Sequence, residues 1–338
     1  MKILVTGGTG YIGSHTVVEL QKKGFDVVIV DNLSNSSAEV VDNIARITGI
    51  KPLFEKIDLS LPEPAHDFFT RNSNLNAVIH FAAFKAVGES IAQPLKYYRN
   101  NLDSLLNLLS EMEIHGIRDM VFSSSCTVYG QPDKLPVTEQ APIMKAASPY
   151  GNTKQISEEI IVDVSKTSNI RAILLRYFNP IGAHESAWIG ELPLGVPNNL
   201  MPFITQTAIG KRDCLSVFGT DYHTPDGTAI RDYIHVVDLA QAHVIAIERL
   251  LNGKNKEKVE AFNLGTGIGY SVLDVIKSFE RTTKIKLNYK LVDRRPGDVE
   301  EIWADTKFAN NELGWKAQRD LDEMTLSAWN WEKRIAGD

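Results

Sequence analysis

A phenol and an ammonium stand four residues apart in Tyr150-Gly151-Asn152-Thr153-Lys154. Ser148-Pro149 just ahead reads as a helix start, because Ser can cap the first amides and Pro needs no N–H there. On a helix, residues four apart share a face, so the two groups stand together. Three hydroxyls, Ser123-Ser124-Ser125, follow the apolar run at Met120 to Phe122. A hydroxyl, a phenol and an ammonium form a proton-transfer set. The ammonium favours phenolate, drawing the Tyr150 pKa down toward working pH, while Ser125 holds the substrate oxygen. A Tyr-x-x-x-Lys arises by chance about 0.65 times in a chain of this composition, so its weight comes from these neighbours.

The second chemical motif lies at the N-terminus. Ile3–Thr6 runs into Gly7-Gly8-Thr9-Gly10-Tyr11-Ile12-Gly13, a G-x-x-G-x-x-G loop, and then into a helical segment ending near Gly24. Such a turn brings backbone N–H groups against a pyrophosphate at a helix N-terminus, where a Cβ would obstruct. Asp31 ends the next strand, eighteen residues beyond Gly13. A carboxylate there accepts from both ribose hydroxyls of an adenosine and repels a 2′-phosphate, which selects NAD over NADP. Asp58, in Ile57-Asp58-Leu59, is placed to meet the adenine amino group.

These groups need a scaffold. Ile3–Thr6, Val27–Val30, Ala77–Phe81, Met120–Ser123 and Ile173–Arg176 are short continuous apolar runs, as a parallel sheet covered on both faces requires. Between them lie helical patterns. One opens at Pro94, repeats at Leu95, Tyr98, Leu102, Leu105, Leu109 and Met112, and stops at Gly116. Alternating strand and helix predicts an α/β fold of the Rossmann type, a doubly wound parallel sheet. After about residue 180, Pro193, Gly195, Pro197, Pro202, Gly219, Pro225 and Gly227 break the chain into short pieces, predicting a smaller mixed α/β lobe. The expected division is residues 1–180 for the nucleotide-binding domain and 181–338 for the lobe. Segments near 233–265 return to the first domain, with helical spacing at Val236, Leu239, Ala240, Val244 and Ile247.

The length of 338 residues suits about two such units. The charge, 36 basic against 42 acidic residues for a net −6, disfavours nucleic acid and anionic membranes as partners. No apolar stretch reaches the roughly 20 residues of a membrane span. Two cysteines, Cys126 and Cys214, without CxxC or His at metal spacing, predict no metal and a reducing, cytoplasmic setting.

Further motifs carry a resemblance. Phe81-Ala82-Ala83-Phe84-Lys85, Arg176-Tyr177-Phe178-Asn179-Pro180, Asn198-Asn199-Leu200-Met201-Pro202, Arg231-Asp232-Tyr233-Ile234-His235-Val236 and Arg294-Arg295-Pro296-Gly297-Asp298 join the glycine loop, Asp31-Asn32, the serine run and Tyr150…Lys154. Over residues 1 to about 330 the chain resembles the UDP-glucose 4-epimerases, of the extended short-chain dehydrogenase/reductase superfamily. The resemblance implies that Tyr150 is the catalytic base and acid, Lys154 bonds the nicotinamide ribose, and Ser125 touches the sugar hydroxyl. It implies a cofactor site of Gly7, Gly10, Tyr11, Ile12, Gly13, Asp31, Asn32, Asp58, Leu59, Phe81, Ala82, Lys85, Asn100 and Phe178 besides the catalytic three. For the UDP-sugar it implies Lys85, Ser125, Tyr150, Asn179, Asn199, Leu200, Phe218, Arg231, Tyr233, Arg295, Asp298 and Ile302. The arginines suit a pyrophosphate, since a guanidinium fork meets phosphate oxygens two at a time.

The implied activity interconverts UDP-galactose and UDP-glucose, with NAD tightly bound and not consumed. C4 is oxidised, the 4-keto sugar turns, and hydride returns to the opposite face. A homodimer is implied through the Pro94–Gly116 and Tyr150–Lys166 helices. Related 4,6-dehydratases place an Asp-Glu pair after the serine or threonine, where this chain has Thr127-Val128-Tyr129. Ala83 and Cys126 stand where many relatives carry Gly and Ala. Ile302 takes the position that limits the sugar's 2-substituent, which leads us to expect secondary activity on UDP-GlcNAc and UDP-GalNAc.

Overall fold

The computed structural model describes residues 1–294 and 299–337. Its strands, in chain order, are β1 (Lys2–Thr6), β2 (Asp26–Asp31), β3 (Leu53–Lys56), β4 (Ala77–His80), β5 (Asp119–Ser123), β6 (Arg171–Tyr177) and β7 (Asn179–Ile181). They continue with β8 (Leu215–Phe218), β9 (Ile230–His235), β10 (Val259–Leu264), β11 (Gly269–Ser271), β12 (Tyr289–Val292) and β13 (Glu301–Ile302). Seven of them form one parallel sheet in the order β10-β6-β5-β4-β1-β2-β3. The winding direction reverses between β1 and β4, and the crevice at their carboxyl ends is where such sheets take ligands. The glycine loop leaves β1 at this crevice, and Phe81–Lys85 leaves β4.

Both faces of the sheet are covered, which explains the continuous apolar runs. On one face Ile3, Val5, Ile29 and Ile79 pack with Val17, Leu20, Leu239 and Ile247 of the helices Tyr11–Lys22 and Val236–Leu251. On the other, Leu4, Val28, Val78 and Met120 pack with Phe68, Leu105, Leu109 and Ile161 of the helices Pro62–Arg71, Ser104–Ile114 and Pro149–Thr167.

Three elements differ from the sequence expectation. β3 was not anticipated, because it forms the sheet edge with Leu53 and Lys56 exposed and so lacks an apolar run. The pattern from Pro94 to Gly116 is not one uniform helix. It divides into α-helix Pro94–Tyr98, a π-helical turn Arg99–Asp103 and α-helix Ser104–Ile114. Tyr233 lies in β9, and the following helix begins only at Val236, where His235 Nδ1 accepts from Val237 N–H at 3.1 Å.

In the lobe, β9 lies between β11 and β13 and also pairs with β7, while β8 and β12 form a separate parallel pair. Ile204, Val217, Phe279, Met324 and Trp329 make its core. Asp238 ties the helix Val236–Leu251 to the segment that leads into the helix Leu321–Ala336. Its buried carboxylate pairs with Arg319 and accepts from the Gln318 and Arg319 amides, both at 2.9 Å. No helix among the described residues is long and apolar enough to cross a membrane.

Candidate active site

The helix Pro149–Thr167 starts as its sequence requires, with Pro149 in the first turn and Ser148 Oγ accepting from Gly151 N–H at 3.1 Å. Tyr150, Lys154 and Glu158 follow at four-residue steps, and all three are buried against the ends of β5 and β6. Lys154 Nζ donates to Ser123 O at 2.6 Å and lies 4.7 Å from the Phe122 ring centroid. Glu158 takes Arg176 Nε at 3.0 Å, Arg176 Nη2 at 2.6 Å and the Ser124 hydroxyl at 2.5 Å. Arg176 Nη1 donates to the Tyr129 hydroxyl at 3.0 Å, which donates to Asn263 Oδ1 at 2.7 Å. Ser125 caps the turn Cys126–Tyr129 by accepting from Thr127 N–H at 3.2 Å, and its hydroxyl also bonds the Tyr150 phenol.

The electrostatics correct one expectation. Burial pushes the Tyr150 phenol well above its ordinary range, Tyr177 adds to the rise, and the Ser125 bond only partly opposes it. Burial also draws Lys154 down to about 8, against Glu158, which favours the ammonium. In the chain alone the Tyr150 phenol therefore stays protonated at neutral pH, with Lys154 on the same helix face donating to Ser123 O. Beside it, His80 is drawn down to about 3 by burial and then by Lys154. It is a neutral ring whose Nδ1 lies 2.7 Å from Thr6 Oγ1.

On the crevice side, Gly7 has φ +69° and donates its N–H to Val30 O at 2.8 Å. A Cβ on Gly13 would lie 2.3 Å from Gly7 O, and one on Gly7 would lie 2.8 Å from Ala82 N. The loop thus returns on itself as closely as a backbone can, and helix Tyr11–Lys22 opens at Gly10 with no side-chain cap on its amides. Asp31 Oδ1 accepts from Leu33 N–H at 2.9 Å and Oδ2 from Thr9 N–H at 3.2 Å. Asn32 donates to Asp58 at 3.2 Å. Burial raises the Asp58 pKa, but its bonds to Ser60 and Asn32 outweigh that and leave it lowered. Leu59 is buried behind it. Ala82 N–H approaches Thr6 Oγ1 at 3.3 Å. Asn100 lies in the π-helical turn and donates to Asn101 Oδ1 at 2.9 Å. Asn101 in turn ties Phe84 to Thr153 of the helix Pro149–Thr167.

The third wall joins the lobe. Phe178 and Ile302 are buried in one cluster with Cys126, Tyr129 and Ala304. Ile302 on β13 is in register with Arg231 on β9, and Asn179 on β7 with Tyr233. Burial pushes the Cys126 thiol up to about 12 although Arg231 opposes, so it stands here as a small apolar filler. Asp232 is fully buried and accepts from Thr266 N–H at 2.7 Å, Gly267 N–H at 3.0 Å and Ala304 N–H at 3.1 Å, which fixes the Arg231 strand. Asn199 precedes the helix Leu200–Ala208 and donates to Glu191 Oε1 at 2.6 Å. Lys85 reaches the same oxygen at 3.2 Å. Phe218 lies apart from this cluster, at the exposed end of β8. Arg295 and Asp298 lie outside the described residues.

Four contributors escaped the sequence reading. Glu158 carried a signal, four residues past Lys154. Tyr177, whose hydroxyl meets Ser123 Oγ at 2.6 Å, stood inside a quoted motif. His80 and Glu191 carried none, since only the fold brings them to Lys154 and Lys85.

A parallel sheet with a glycine-rich first turn, an Asp at the end of its second strand and a Ser/Tyr/Lys set defines a dinucleotide-dependent oxidoreductase-type fold. The family model for GDP-mannose 4,6 dehydratase matches residues 4–327. The UDP-glucose 4-epimerase of Bacillus subtilis (strain 168) is 52% identical over 333 residues, 98% of this chain and 97% of its own length. The structure of UDP-glucose-4-epimerase from Stenotrophomonas maltophila, with bound NAD and formylated UDP-arabinopyranose, matches with a TM-score of 0.96 at 47% identity, covering 100% and 99% of the two chains. That from Bifidobacterium longum, in complex with NAD+ and UDP, matches with a TM-score of 0.95 at 46% identity over 99% of each chain. Within the nucleotide-sugar enzymes marked out by the family model, this chain belongs to the UDP-glucose 4-epimerase family.

Replacing Glu158 with Gln keeps the shape but leaves the buried Arg176 cation unbalanced. Breaking such a pair costs about 3–5 kcal/mol. Glu158→Gln is expected to lower the urea midpoint accordingly, and a loss below about 1 kcal/mol would show that Arg176 finds other compensation.

Proposed function

We propose that the enzyme interconverts UDP-galactose and UDP-glucose with NAD as resident cofactor, Tyr150 acting as the proton-transfer group. The observation that carries this reading is the convergence of Tyr150, Lys154 and Ser125 at the carboxyl ends of the central strands, beside the crevice between β1 and β4. The residues present fit NAD, because the glycine loop leaves a cradle that Cβ atoms would fill and Asp31 ends β2 with a carboxylate. The first-turn amides after Gly10 would hold its pyrophosphate, Asp31 its adenosine ribose, Asp58 and Leu59 its adenine end, and Lys154, Asn100 and Phe178 the nicotinamide end. When bound, NAD supplies a two-electron acceptor and donor for the hydrogen on C4.

Tyr150 takes the proton of the C4 hydroxyl and later returns it to the C4 oxygen, so no net proton is consumed. A phenol this buried gives up its proton only with positive charge nearby, and Lys154 brings one on the same helix face. Ser125, already bonded to Tyr150, aligns the sugar oxygen. Inversion requires the 4-keto sugar to present both faces to one site. The anion must therefore be gripped and the hexose held loosely. Arg231, together with Arg295, serves the pyrophosphate, and Asn179, Asn199, Leu200, Phe218, Tyr233, Asp298 and Lys85 complete the UDP-sugar site. Cys126 and Cys214 are both free thiols, supporting a cytoplasmic setting.

Assayed on UDP-galactose without added NAD, the wild type is expected to form UDP-glucose. Tyr150→Phe should turn over about 10²–10⁴-fold more slowly with UDP affinity unchanged. Turnover within threefold of wild type would refute the assignment.

Ile302 is buried against Cys126 and Phe178, a wall that cannot yield freely. An N-acetyl group on C2 meeting such a wall costs about 1–3 kcal/mol of overpacking, roughly 5- to 150-fold in kcat/KM. Secondary activity on UDP-GlcNAc and UDP-GalNAc follows. The ratio of kcat/KM for UDP-GlcNAc to that for UDP-glucose should fall in Ile302→Tyr and rise in Ile302→Ser. A flat ratio across the three proteins would remove residue 302 from the pocket wall.

A second copy of the chain is assigned to the helical stretch Pro94–Gly116 and the helix Pro149–Thr167, where Leu95 is 70% exposed and Leu106, in the helix Ser104–Ile114, 45%. Asn152 donates to the Tyr98 hydroxyl at 2.7 Å, which ties the two helices together. Sedimentation should find a dimer for the wild type and a monomer for Leu95→Asp. A monomeric wild type would exclude this interface.

A further inference from the structure

On the sheet face opposite the helix Tyr11–Lys22, two helices bring together donors that the reaction does not use. We propose that His66, Glu111 and His115 bind a divalent transition-metal ion of the zinc type. The ligand atoms of these three residues all lie within 4.8 Å of one another. Glu111 belongs to the helix Ser104–Ile114, and His115 follows its last turn, four residues on and therefore on the same face. His66 comes from the neighbouring helix Pro62–Arg71.

The distances support coordination. Donors about 2.0–2.1 Å from a tetrahedral zinc ion lie roughly 3.3–3.4 Å from each other. His66 Nδ1 is 3.2 Å from Glu111 Oε1 and 3.3 Å from Oε2, and His115 Nε2 is 3.4 Å from Oε2. Two edges of a coordination tetrahedron are thus already set. Closing the third requires movement only of His66, whose side chain is 56% exposed. His115 is held by the Phe69 ring, stacked at 6.0 Å and 26°. Its Nε2 is buried and has no hydrogen-bond partner, because the nearby carboxylate oxygen is out of line for one. A lone pair on a metal-facing nitrogen needs no such partner. Two imidazoles and one carboxylate favour zinc, cobalt or nickel over magnesium or calcium, which prefer all-oxygen sets. Three protein ligands leave the remaining position to water. The ion would join the two helices that cover this face, a structural role separate from Tyr150.

The test uses tag-free enzyme with its resident cofactor, cleared of metal by a chelator. Titration with Co²⁺ should give visible d–d absorption saturating at one equivalent, and calorimetry with Zn²⁺ should give the same stoichiometry. His66→Ala and His115→Ala should each weaken binding by at least about tenfold, the lower bound set by loss of even an outer-shell partner. His66→Ala removes an exposed side chain, so it tests the site without threatening the fold. Turnover of UDP-galactose should be the same with and without metal. Failure to saturate, or equal affinity in wild type and both variants, would overturn the proposal, whatever the fate of the epimerase mechanism.

Discussion

The carboxylate of Glu158, held by two guanidinium nitrogens of Arg176 and by the Ser124 hydroxyl, sets the rotation of the Pro149–Thr167 helix about its own axis. Successive residues on a helix point about 100° apart, so a slip of a single position would turn Tyr150 and Lys154 away from the strand ends. The pair also links β5 to β6 through side chains, next to the parallel hydrogen bonds between them. Burying two full charges is costly, and their mutual attraction repays this only when the remaining polar atoms are also bonded. Here Tyr129, Asn263 and Ser124 complete that satisfaction. The site's geometry therefore rests on a polar network with a single well-bonded arrangement, rather than on apolar packing that tolerates several.

Around that clamp the site is assembled from different strand ends, each dry. Tyr150, Lys154, Ser125 and His80 are all buried, and the directions of the pKa shifts of Tyr150, Lys154 and His80 follow mainly from the loss of water. A neutral His80 and a committed Lys154 leave the phenol as the group whose state depends most on what binds beside it. The same logic governs the lobe. Asp232, enclosed and bonded by three backbone amides, fixes β9 so that Arg231 and Ile302 stay in register. The two residues stand side by side on adjacent strands.

Much of this was legible in the residues themselves. Five of the seven central strands announced themselves as apolar runs, because a sheet covered on both faces leaves no polar positions to interrupt them. The glycine loop and the Tyr/Lys pair were legible because their chemistry depends on local spacing. What stayed hidden depended on contacts distant in sequence. β3 lies at an edge and needs no apolar run. The π-helical turn at Arg99–Asp103 shows no break in hydrophobic period, only a displaced Asn100 and Asn101. The fall in Tyr150 acidity was misjudged because spacing reveals a neighbouring ammonium but not the removal of water. His66 and Glu111 are brought together from different helices, which no local motif encodes.

The position of β10 bears on how the chain is born. This strand completes the sheet against β6, yet about eighty residues separate the two in sequence. At synthesis rates of roughly 5–20 residues per second, β6 waits on the order of 4–16 s on the ribosome before its partner emerges. Throughout that interval Ala172, Ile173, Leu174 and Leu175 present an unpaired apolar edge, the feature that invites strands from other nascent chains. A sheet closed by a strand made this late leaves its growing chain exposed to aggregation until β10 has emerged.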